Sequence, residues 1–330
     1  TDSIFYLASM TKPIVSVAAL MLVEQGRLDL AAPVHAFLPA YKTLTVMTDE
    51  KDADGAPVAR PARRTMTVQD LLRHSSGLTY GFFGAGAARE AYRAAGAGDG
   101  SRSNIDYANL LASLPLEHEP GTTWEYSRST DVLGAVIEVI TGKPLGEALE
   151  DMILGPLDMT DTGFFVPEAD HDRIAEGKDG EKIGTSPMFD PRAKPTFESG
   201  GGGLVSTARD YARFAQMLLN GGSLDGVRIL GPHTVAFMTA DSLGDQVKPG
   251  KYYLPGAATG FGLGVGVRLQ RGVAPANSAA GTYYWGGAGG TYWFNDPENG
   301  VALIYMMQSP SARLMARGIL RNMVAAAIEE

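Results

Sequence analysis

The order of hydrophobic patterns along the 330 residues predicts a mixed fold in which helices pack on an antiparallel sheet, a class best written as α/β plus all-α. Residues 10–25 are apolar nearly all round, which predicts a buried helix at the start of the chain. The middle of the chain shows mainly helical spacing, whereas alternating patterns from Thr259 onward predict strands. Strands therefore close the chain, helices fill its middle, and one buried helix opens it.

Composition narrows the possible partners. Hydrophobic residues make up 45% of the chain, enough for one large domain or two interleaved ones. The formal net charge is −9 and no run of lysine and arginine stands out, so we expect neither a nucleic acid nor an anionic membrane as partner. The longest apolar stretch, Pro13 to Val23, is shorter than the roughly 18 to 20 residues that a bilayer span needs. No membrane anchor is expected.

Metal and thiol chemistry are also disfavoured. The chain has no cysteine, which excludes disulfides, thiol catalysis and cysteine-based metal sites. Its five histidines are far apart and none has a ligand spacing such as HExxH. We expect no metal site and no cofactor.

The helical elements follow from apolar spacing and end signals. The first helix is predicted to stop at Gly26, in a left-handed cap. The polar residues 48–64 and the glycine- and alanine-rich residues 81–104 are predicted to be long surface loops. Asp131 is a plausible cap and Gly142 a plausible stop for one of the later helices. Those later helices are predicted over Val68–Arg73, Asp106–Leu114, Asp131–Thr141 and Ala208–Leu219.

Strands are predicted only near the end of the chain. Phe261 to Leu269 alternate with glycines, which predicts a single strand whose glycine face lets a helix approach closely. Thr291–Asn295 and Val301–Met307 predict an antiparallel hairpin. A final helix is predicted after Ser309 and Pro310, with one apolar face formed by Leu314, Leu320, Met323, Val324 and Ile328. Because three strands make a poor sheet for a chain of this size, we expect further strands upstream of this sequence.

Ser9-Met10-Thr11-Lys12 is the stretch that carries most chemical information. Residues at i and i+3 share a helix face, so the Lys12 amine can reach the Ser9 hydroxyl. Such a pair can activate a serine without histidine. An isolated SxxK match arises about once by chance in a chain of this length, but here it lies at the start of a buried helix, where negative charge is favoured.

Two further segments supply candidate catalytic groups. Tyr126 follows a turn and precedes a helix, and a cation beside a tyrosine favours its deprotonated form. Tyr126 can thus act as a general base toward Ser9 and then as an acid toward the leaving group. The glycine-rich run from Tyr284 to Gly290 lets a strand approach a ligand, and one of its backbone N–H groups can form an oxyanion hole with that of Ser9.

These elements resemble the serine β-lactamase and penicillin-binding protein superfamily, specifically its class C β-lactamase-like branch and, within it, the family VIII carboxylesterases. The resemblance covers essentially the whole chain. It is carried by the segments Ile4–Pro13, Leu71–Leu78, Pro120–Tyr126, Gly200–Asp210 and Trp285–Gly287.

The resemblance implies a role for each matching residue. Ser9 would be the acylated nucleophile, Lys12 and Tyr126 the proton-transfer pair, and the N–H groups of Ser9 and Ala288 the oxyanion hole. It also implies a serine β-lactamase-like fold, an antiparallel sheet flanked by helices with an inserted helical domain. The corresponding division is residues 1–27 and 257–330 for the α/β domain and 28–256 for the helical domain. About two N-terminal strands that this fold places before the SxxK helix are not found in this sequence.

Two departures from the β-lactamase pattern bear on the substrate. Arg128 stands where those enzymes have asparagine, and Trp285-Gly286-Gly287 stands where they have Lys-Thr-Gly. Because that lysine helps to bind the β-lactam carboxylate, an indole in its place favours an apolar acyl or alcohol group. We therefore predict substrate-binding roles for Arg128 and for Trp285, Gly286 and Gly287, whereas His74 is expected to be structural.

The sequence thus predicts a bacterial serine carboxylesterase that acts on a small-molecule ester without a cofactor. An α/β-hydrolase is disfavoured because the chain has no GxSxG motif. Two alternatives stay open: a β-lactamase or D-alanyl-D-alanine peptidase, and an inactive binding protein or incomplete fragment of the same fold. A cytoplasmic location is the default expectation, and the oligomeric state is not fixed by the sequence.

Overall fold

Helices and short strands follow one another in the computed structural model, which describes residues 2–177, 181 and 190–328. In this part of the chain the α-helices are α1 (Thr11–Glu24), α2 (Val68–Leu72), α3 (Ala87–Ala94), α4 (Asn104–Ala112), α5 (Ser129–Thr141), α6 (Leu145–Leu149), α7 (Ala208–Leu219), α8 (Pro232–Met238) and α9 (Arg313–Ala327). The strands are β1 (Phe5–Tyr6), β2 (Thr45–Lys51), β3 (Pro57–Pro61), β4 (Thr123–Trp124), β5 (Val205–Ser206), β6 (Ser223–Leu224), β7 (Val227–Arg228), β8 (Lys248–Pro249), β9 (Thr259–Phe261), β10 (Gly266–Arg268), β11 (Tyr283–Gly286), β12 (Gly290–Asp296) and β13 (Val301–Gln308). Short 3-10 turns cover Ala8–Met10, Val34–Ala36, Pro39–Lys42 and Glu168–Arg173, and Glu150–Leu154 form a π-helical turn.

The main sheet is antiparallel and has five strands in the order β13-β12-β11-β10-β9. One face packs on α7, where the ring of Trp293 lies 5.9 Å from that of Tyr211. The opposite face meets α9, whose Arg321 guanidinium lies 4.0 Å above the ring of Tyr284. Because neighbouring residues of a strand point to opposite faces, side chains of β12 contact α7 on one face of the sheet and α9 on the other. The predicted mixed fold is confirmed, as is the β12–β13 hairpin.

Helix α1 lies at the centre of the molecule. Its residues from Thr11 to Leu20 are all buried, as the apolar sequence predicts. On one side it packs against α5 and α6. On the other side the turn between β9 and β10 touches it so closely that a Cβ on Gly264 would lie 2.1 Å from Ser16 Oγ. The expected close approach of glycine backbone to a helix is therefore found.

The single strand predicted from Phe261 to Leu269 is wrong. The segment folds back on itself as two short strands, β9 and β10, with Gly266 opposite Phe261. Gly264 adopts φ +93° inside the turn, a conformation open to glycine at little cost. The alternating apolar residues Phe261, Leu263, Val265 and Val267 are buried on both sides of the turn, whereas Leu269, just after β10, is 44% exposed.

Residues 48–64, predicted to be a surface loop, contain most of a hairpin. Strands β2 and β3 pair antiparallel across a turn in which Asp52 Oδ1 accepts hydrogen bonds from the N–H groups of Asp54 and Ala56. Prolines at both ends of β3 concealed the strand in the sequence, yet proline is tolerated at strand ends and edges. Likewise the predicted loop 81–104 contains α3.

The predicted packing of the last helix is wrong. Leu314 and Met323, expected on its buried face, are 72% and 62% exposed. The side chain that is buried is Arg321, which lies against the tyrosines of the sheet. Stacking of guanidinium groups on aromatic faces replaces the apolar contact that periodicity predicts. The helix also begins at Arg313, later than the predicted Ser309-Pro310 cap.

The predicted division at residues 27 and 256 stays a prediction. One helix inside the predicted helical stretch, α7, packs on the sheet rather than on the other helices, as the contact of Phe214 with Trp293 shows. Across residues 2–177, 181 and 190–328, no helix has both the length and the apolar character required to cross a bilayer.

Candidate active site

Ser9 lies in a strained turn directly before α1. The 3-10 turn Ala8–Met10 precedes the first helical residue, Thr11. Ala8 has φ +47°, a left-handed conformation that is uncommon for a residue with a side chain. Ser9 is half-buried, while its neighbours on both sides are buried. Such strain beside a partly accessible hydroxyl is typical of functional sites.

Lys12 is fully buried in the first turn of α1 and directs its amine at three oxygens. Its Nζ lies 3.3 Å from Ser9 Oγ, 3.3 Å from the Tyr80 hydroxyl and 2.5 Å from the Gly201 carbonyl oxygen. An ammonium has three N–H donors, so these contacts satisfy it completely. The predicted approach of Lys12 to Ser9 is therefore present.

The aromatic ring of Tyr126 lies against the amine of Lys12. Lys12 Nζ lies 4.5 Å from the centre of the Tyr126 ring, a cation–π contact. The hydroxyl of Tyr126 accepts a hydrogen bond from Trp285 Nε1 at 3.4 Å. Because a phenol hydroxyl accepts and donates, this bond leaves its own proton free for a further partner.

Trp285 lies behind Tyr126. Its side chain is buried in β11 and packs against the rings of Tyr126 and Phe261, at 5.6 and 5.3 Å. The indole N–H of Trp285 donates to the hydroxyl of Tyr126, the catalytic candidate. The predicted contact of Trp285 with substrate stays a prediction.

The two glycines after Trp285 allow close backbone contacts. A Cβ on Gly287 would lie 2.3 Å from the carbonyl oxygen of Leu7, and one on Gly286 would meet the Arg317 guanidinium at 2.6 Å. The Thr291 hydroxyl also donates to the Leu7 oxygen at 3.0 Å. These contacts join the turn between β11 and β12 to Leu7, two residues before Ser9. Ala288, the predicted oxyanion-hole residue, follows Gly287 in that turn. The oxyanion role of Ala288 and Ser9 stays a prediction.

The side chain of Arg128 is buried and binds partners within the fold. Its buried guanidinium donates to the Ala97 carbonyl at 3.1 Å, pairs with Asp131 at 3.5 Å and stacks 4.7 Å from the centre of the Tyr80 ring. Its predicted role as a substrate-binding cation gains no support from this placement, because these partners already engage the charge.

His74 is buried inside the fold, and the structural role expected for it stays a prediction. It is completely buried, and its Nδ1 lies 3.3 Å from Ser127 Oγ. Its ring packs 5.0 Å from that of Tyr126. Burial, and secondly the charge of Lys12, lower the pKa of His74 well below its usual range. A neutral histidine therefore supports the back of Tyr126.

Three residues near Lys12 are not predicted from the sequence to take part in the site. Tyr80 directly precedes a segment predicted as a loop, and no spacing links it to Lys12. Gly201 belongs to a glycine run whose sequence indicates only the family resemblance and the start of a helix. Asp131 was predicted to cap α5, but its carboxylate instead accepts hydrogen bonds from Ser199 Oγ and Gly201 N, at 2.5 and 2.9 Å.

Aromatic side chains continue outward from the buried amine. The ring of Tyr80 lies 4.7 Å from that of Phe82, which lies 4.7 Å from that of Phe83. Phe83 in turn stacks on Tyr252 at 6.4 Å. Phe82 is 64% exposed. An apolar wall, defined by these four residues, therefore leads from the surface to the catalytic candidates.

The described part of the chain holds no group of three or more His, Cys, Asp or Glu side chains placed to bind a metal ion. Fold and site together define a serine hydrolase with a β-lactamase-like fold: a half-buried serine in the turn before α1 contacts a buried lysine in the first turn of that helix, with a tyrosine and a glycine-rich segment beside them.

Comparison with known proteins places the chain more closely. The Beta-lactamase family model matches residues 1–327, so the chain belongs to that family. Esterase EstB of Burkholderia gladioli is 35% identical over 92% of this chain and 77% of its own length. Protein Rv1367c of Mycobacterium tuberculosis is 39% identical over 93% of this chain and 78% of its own. The solved structure of EstCE1, described as a hydrolase with promiscuous acyltransferase activity, superposes with a TM-score of 0.79 at 28% identity, over 98% of this chain and 84% of that one.

The predicted resemblance to family VIII carboxylesterases is confirmed by these relatives. Within the Beta-lactamase family, the protein is a carboxylic ester hydrolase.

Proposed function

We propose that the protein hydrolyses small acyl esters through an acyl-enzyme on Ser9, with Lys12 and Tyr126 transferring the protons. The observation that carries the proposal is the 3.3 Å contact between Lys12 Nζ and Ser9 Oγ. The Tyr126 ring lies against the same buried amine. The serine hydroxyl, the lysine amine and the tyrosine ring thus lie next to one another, as serine activation without histidine requires.

In the first half of the reaction, Ser9 Oγ attacks the ester carbonyl carbon and its proton passes to the Lys12 and Tyr126 pair. Negative charge on the carbonyl oxygen is stabilised by the N–H groups of Ser9 and Ala288. The carbon–oxygen bond to the alcohol then breaks. The alcohol leaves with the proton that the pair had taken, and the acyl group stays on Ser9.

In the second half, water attacks the acyl-enzyme and gives a proton to the same pair. The bond to Ser9 Oγ breaks, the hydroxyl recovers that proton, and a carboxylic acid is released. Neither half requires a metal ion or a cofactor.

The apolar wall supports an uncharged, hydrophobic ester as the substrate. Tyr80, Phe82, Phe83 and Tyr252 offer ring faces and edges, which suit an apolar acyl or alcohol group. Trp285 adds a neutral indole where a carboxylate-binding lysine stands in β-lactamases of this branch. Both features favour esters over β-lactams.

The direct test is intact-protein mass after brief exposure to p-nitrophenyl butyrate, with release of nitrophenol followed in parallel. We expect turnover in the wild type and loss of both turnover and acyl mass in Ser9→Ala. Unchanged turnover in Ser9→Ala would sink the proposal. A wild type that unfolds cooperatively but neither turns over esters nor reacts with a serine-directed phosphonate would instead be an inert binding protein.

Tyr126→Phe tests the proton-transfer role. Removal of the hydroxyl is expected to lower kcat by about 10² to 10⁴, the usual contribution of a general acid–base group. Tyr41→Phe is the matched control, because it removes another buried hydroxyl, which donates to the Ala108 carbonyl at 3.0 Å. That control should lose about 1 kcal/mol of stability and little activity. Equal kcat values for the two variants would exclude Tyr126 from proton transfer.

The alternative of a β-lactamase or D-alanyl-D-alanine peptidase is favoured by one observation. Arg317 lies against Gly286, beside the strand that would hold a lactam carboxylate. Its guanidinium, however, already donates to the Gly287 and Thr291 carbonyls at 2.5 and 3.1 Å. Turnover of a chromogenic cephalosporin as efficient as that of the aryl ester would select this alternative.

A further inference from the structure

The glycine run Gly200–Gly203 is pressed between two helices. A Cβ on Gly200 would lie 2.6 Å from the Thr130 carbonyl oxygen of α5, and one on Gly201 would lie 2.8 Å from the Asp131 carboxylate. On the other side, Gly202 lies against the backbone of Ala8, beside the nucleophile. None of the four glycines has a positive φ. Glycine is therefore needed here because a side chain would not fit, and not because of the backbone conformation.

Asp131 holds this run in place. Its carboxylate is buried, and Oδ1 accepts hydrogen bonds from Ser199 Oγ at 2.5 Å and from Gly201 N at 2.9 Å. Arg128 lies 3.5 Å from Oδ2 and supplies the opposite charge. Charge-assisted bonds of this kind are stronger than neutral ones and fix geometry accordingly.

Gly201 also contacts the amine of Lys12. Gly201 accepts a 2.5 Å hydrogen bond from Lys12 Nζ through its carbonyl oxygen, the shortest of the three contacts of that amine. Across residues 2–177, 181 and 190–328, no carboxylate forms an ion pair with Lys12, so its placement depends on these neutral oxygens.

We propose that Asp131 is a positioning residue for Lys12, acting through the backbone of Gly201. By fixing the loop, the carboxylate fixes the carbonyl that accepts from the amine and so keeps Lys12 within reach of Ser9. The inference rests on the proposed function, because it assigns Asp131 to the activation of Ser9.

Asp131→Asn tests this role. The amide keeps the volume of the carboxylate but loses the charge that attracts the two loop donors, so Gly201 and Lys12 should shift. We expect kcat for p-nitrophenyl butyrate to fall about 100-fold with KM nearly unchanged, because small misplacements of a catalytic group have effects of this size. The rate of Ser9 labelling by a fluorophosphonate, which does not depend on ester preference, should fall in parallel.

Asp210→Asn is the matched control. Asp210 is also a buried aspartate in the first turn of a helix, and its carboxylate accepts from Asp161 N and Thr162 Oγ1 at 2.8 and 3.0 Å, without a link to Lys12. Its variant should lose stability but keep kcat. Labelling and kcat losses in Asp131→Asn no larger than in Asp210→Asn would overturn the proposal.

Ser199→Ala keeps the proposal testable if Asp131→Asn does not fold. This variant removes one of the two loop bonds to Asp131 and should lower the labelling rate severalfold. A labelling rate equal to that of the wild type would overturn the positioning role. A wild type that labels at Ser9 without hydrolysing esters would contradict the proposed function alone, and the labelling comparison would still decide the role of Asp131.

Discussion

Lys12 is buried and has no carboxylate partner in the part of the chain that the structure describes, which suits the proton-transfer role proposed for it. Its amine donates to a hydroxyl, a phenol and a peptide carbonyl, and lies over an aromatic face. Neutral oxygens and a ring satisfy the charge without pairing it to a fixed anion. Because no fixed anion holds it charged, the amine is suited to the proton exchange with Ser9 that we propose, whereas Arg128, paired with Asp131, is a structural cation.

His74 gives a pH prediction at the residue scale. Burial lowers the pKa of His74 well below its usual range, so the folded protein keeps it neutral. In the unfolded chain the histidine takes up a proton below about pH 6.5. Below that pH the unfolded state therefore binds more protons than the folded state. The free energy of unfolding then decreases as the pH falls, by up to about 1.4 kcal/mol per pH unit, whereas above that pH His74 causes no such loss.

The measurement is the free energy of unfolding in urea between pH 7.5 and 5 for the wild type and for His74→Gln. The difference between the two isolates the histidine, since other titrating groups are common to both. We expect the wild type to lose more stability on acidification than the variant. Parallel curves would show that His74 is protonated in the fold.

At the scale of elements, the turn between β11 and β12 is held against the nucleophile turn by a close backbone contact of Gly287. Gly287 approaches Leu7 so closely that a Cβ would lie 2.3 Å from the Leu7 oxygen and 2.1 Å from Thr291 Oγ1. The sheet and the nucleophile turn are joined there. A side chain at this position would push the turn that carries the predicted oxyanion residue Ala288 away from Ser9.

Gly287→Ala is therefore expected to lower stability by about 1 to 3 kcal/mol, the usual cost of overpacking, and to abolish most ester turnover. Gly318→Ala in α9 is the matched substitution, because a Cβ there meets nothing within 4 Å. Replacing a helical glycine by alanine should raise stability by about 1 kcal/mol and leave kcat unchanged. Urea unfolding and kcat/KM check both. A stable, active Gly287→Ala variant would contradict the close contact.

At the scale of the whole molecule, the site joins parts that lie far apart in sequence. Ser9 comes from the 3-10 turn before α1 and Lys12 from α1 itself. Tyr126 comes from the turn before α5, Gly201 from the glycine run and Trp285 from the sheet. Helix α1 contacts both the helical part and the sheet turn. No subset of these elements can complete the site alone.

We therefore expect ester turnover and far-UV circular dichroism to disappear over the same range of urea. The reason is that α1 shares its buried surface between both layers, so loss of either exposes it. Activity lost in a separate, earlier transition would show that the site unfolds independently of the core.

The sequence by itself determined the local features of this protein: the buried first helix, the Ser9–Lys12 pair at its start, the α7 helix and the β12–β13 hairpin. These depend on periodicity and on residues three or four apart, which act within one element. The family resemblance also followed from local motifs.

Tertiary structure alone decided the rest. The folding of 259–268 into two strands, the exposed apolar face of α9, the inward placement of Arg128 and the contacts of Tyr80, Gly201 and Asp131 with the site all depend on partners distant in sequence. Periodicity shows which side of an element is apolar, but not which arginine, ring or carbonyl will meet it. That choice is made when packing brings separate elements together, and the surroundings of Lys12 are therefore visible only in the folded molecule.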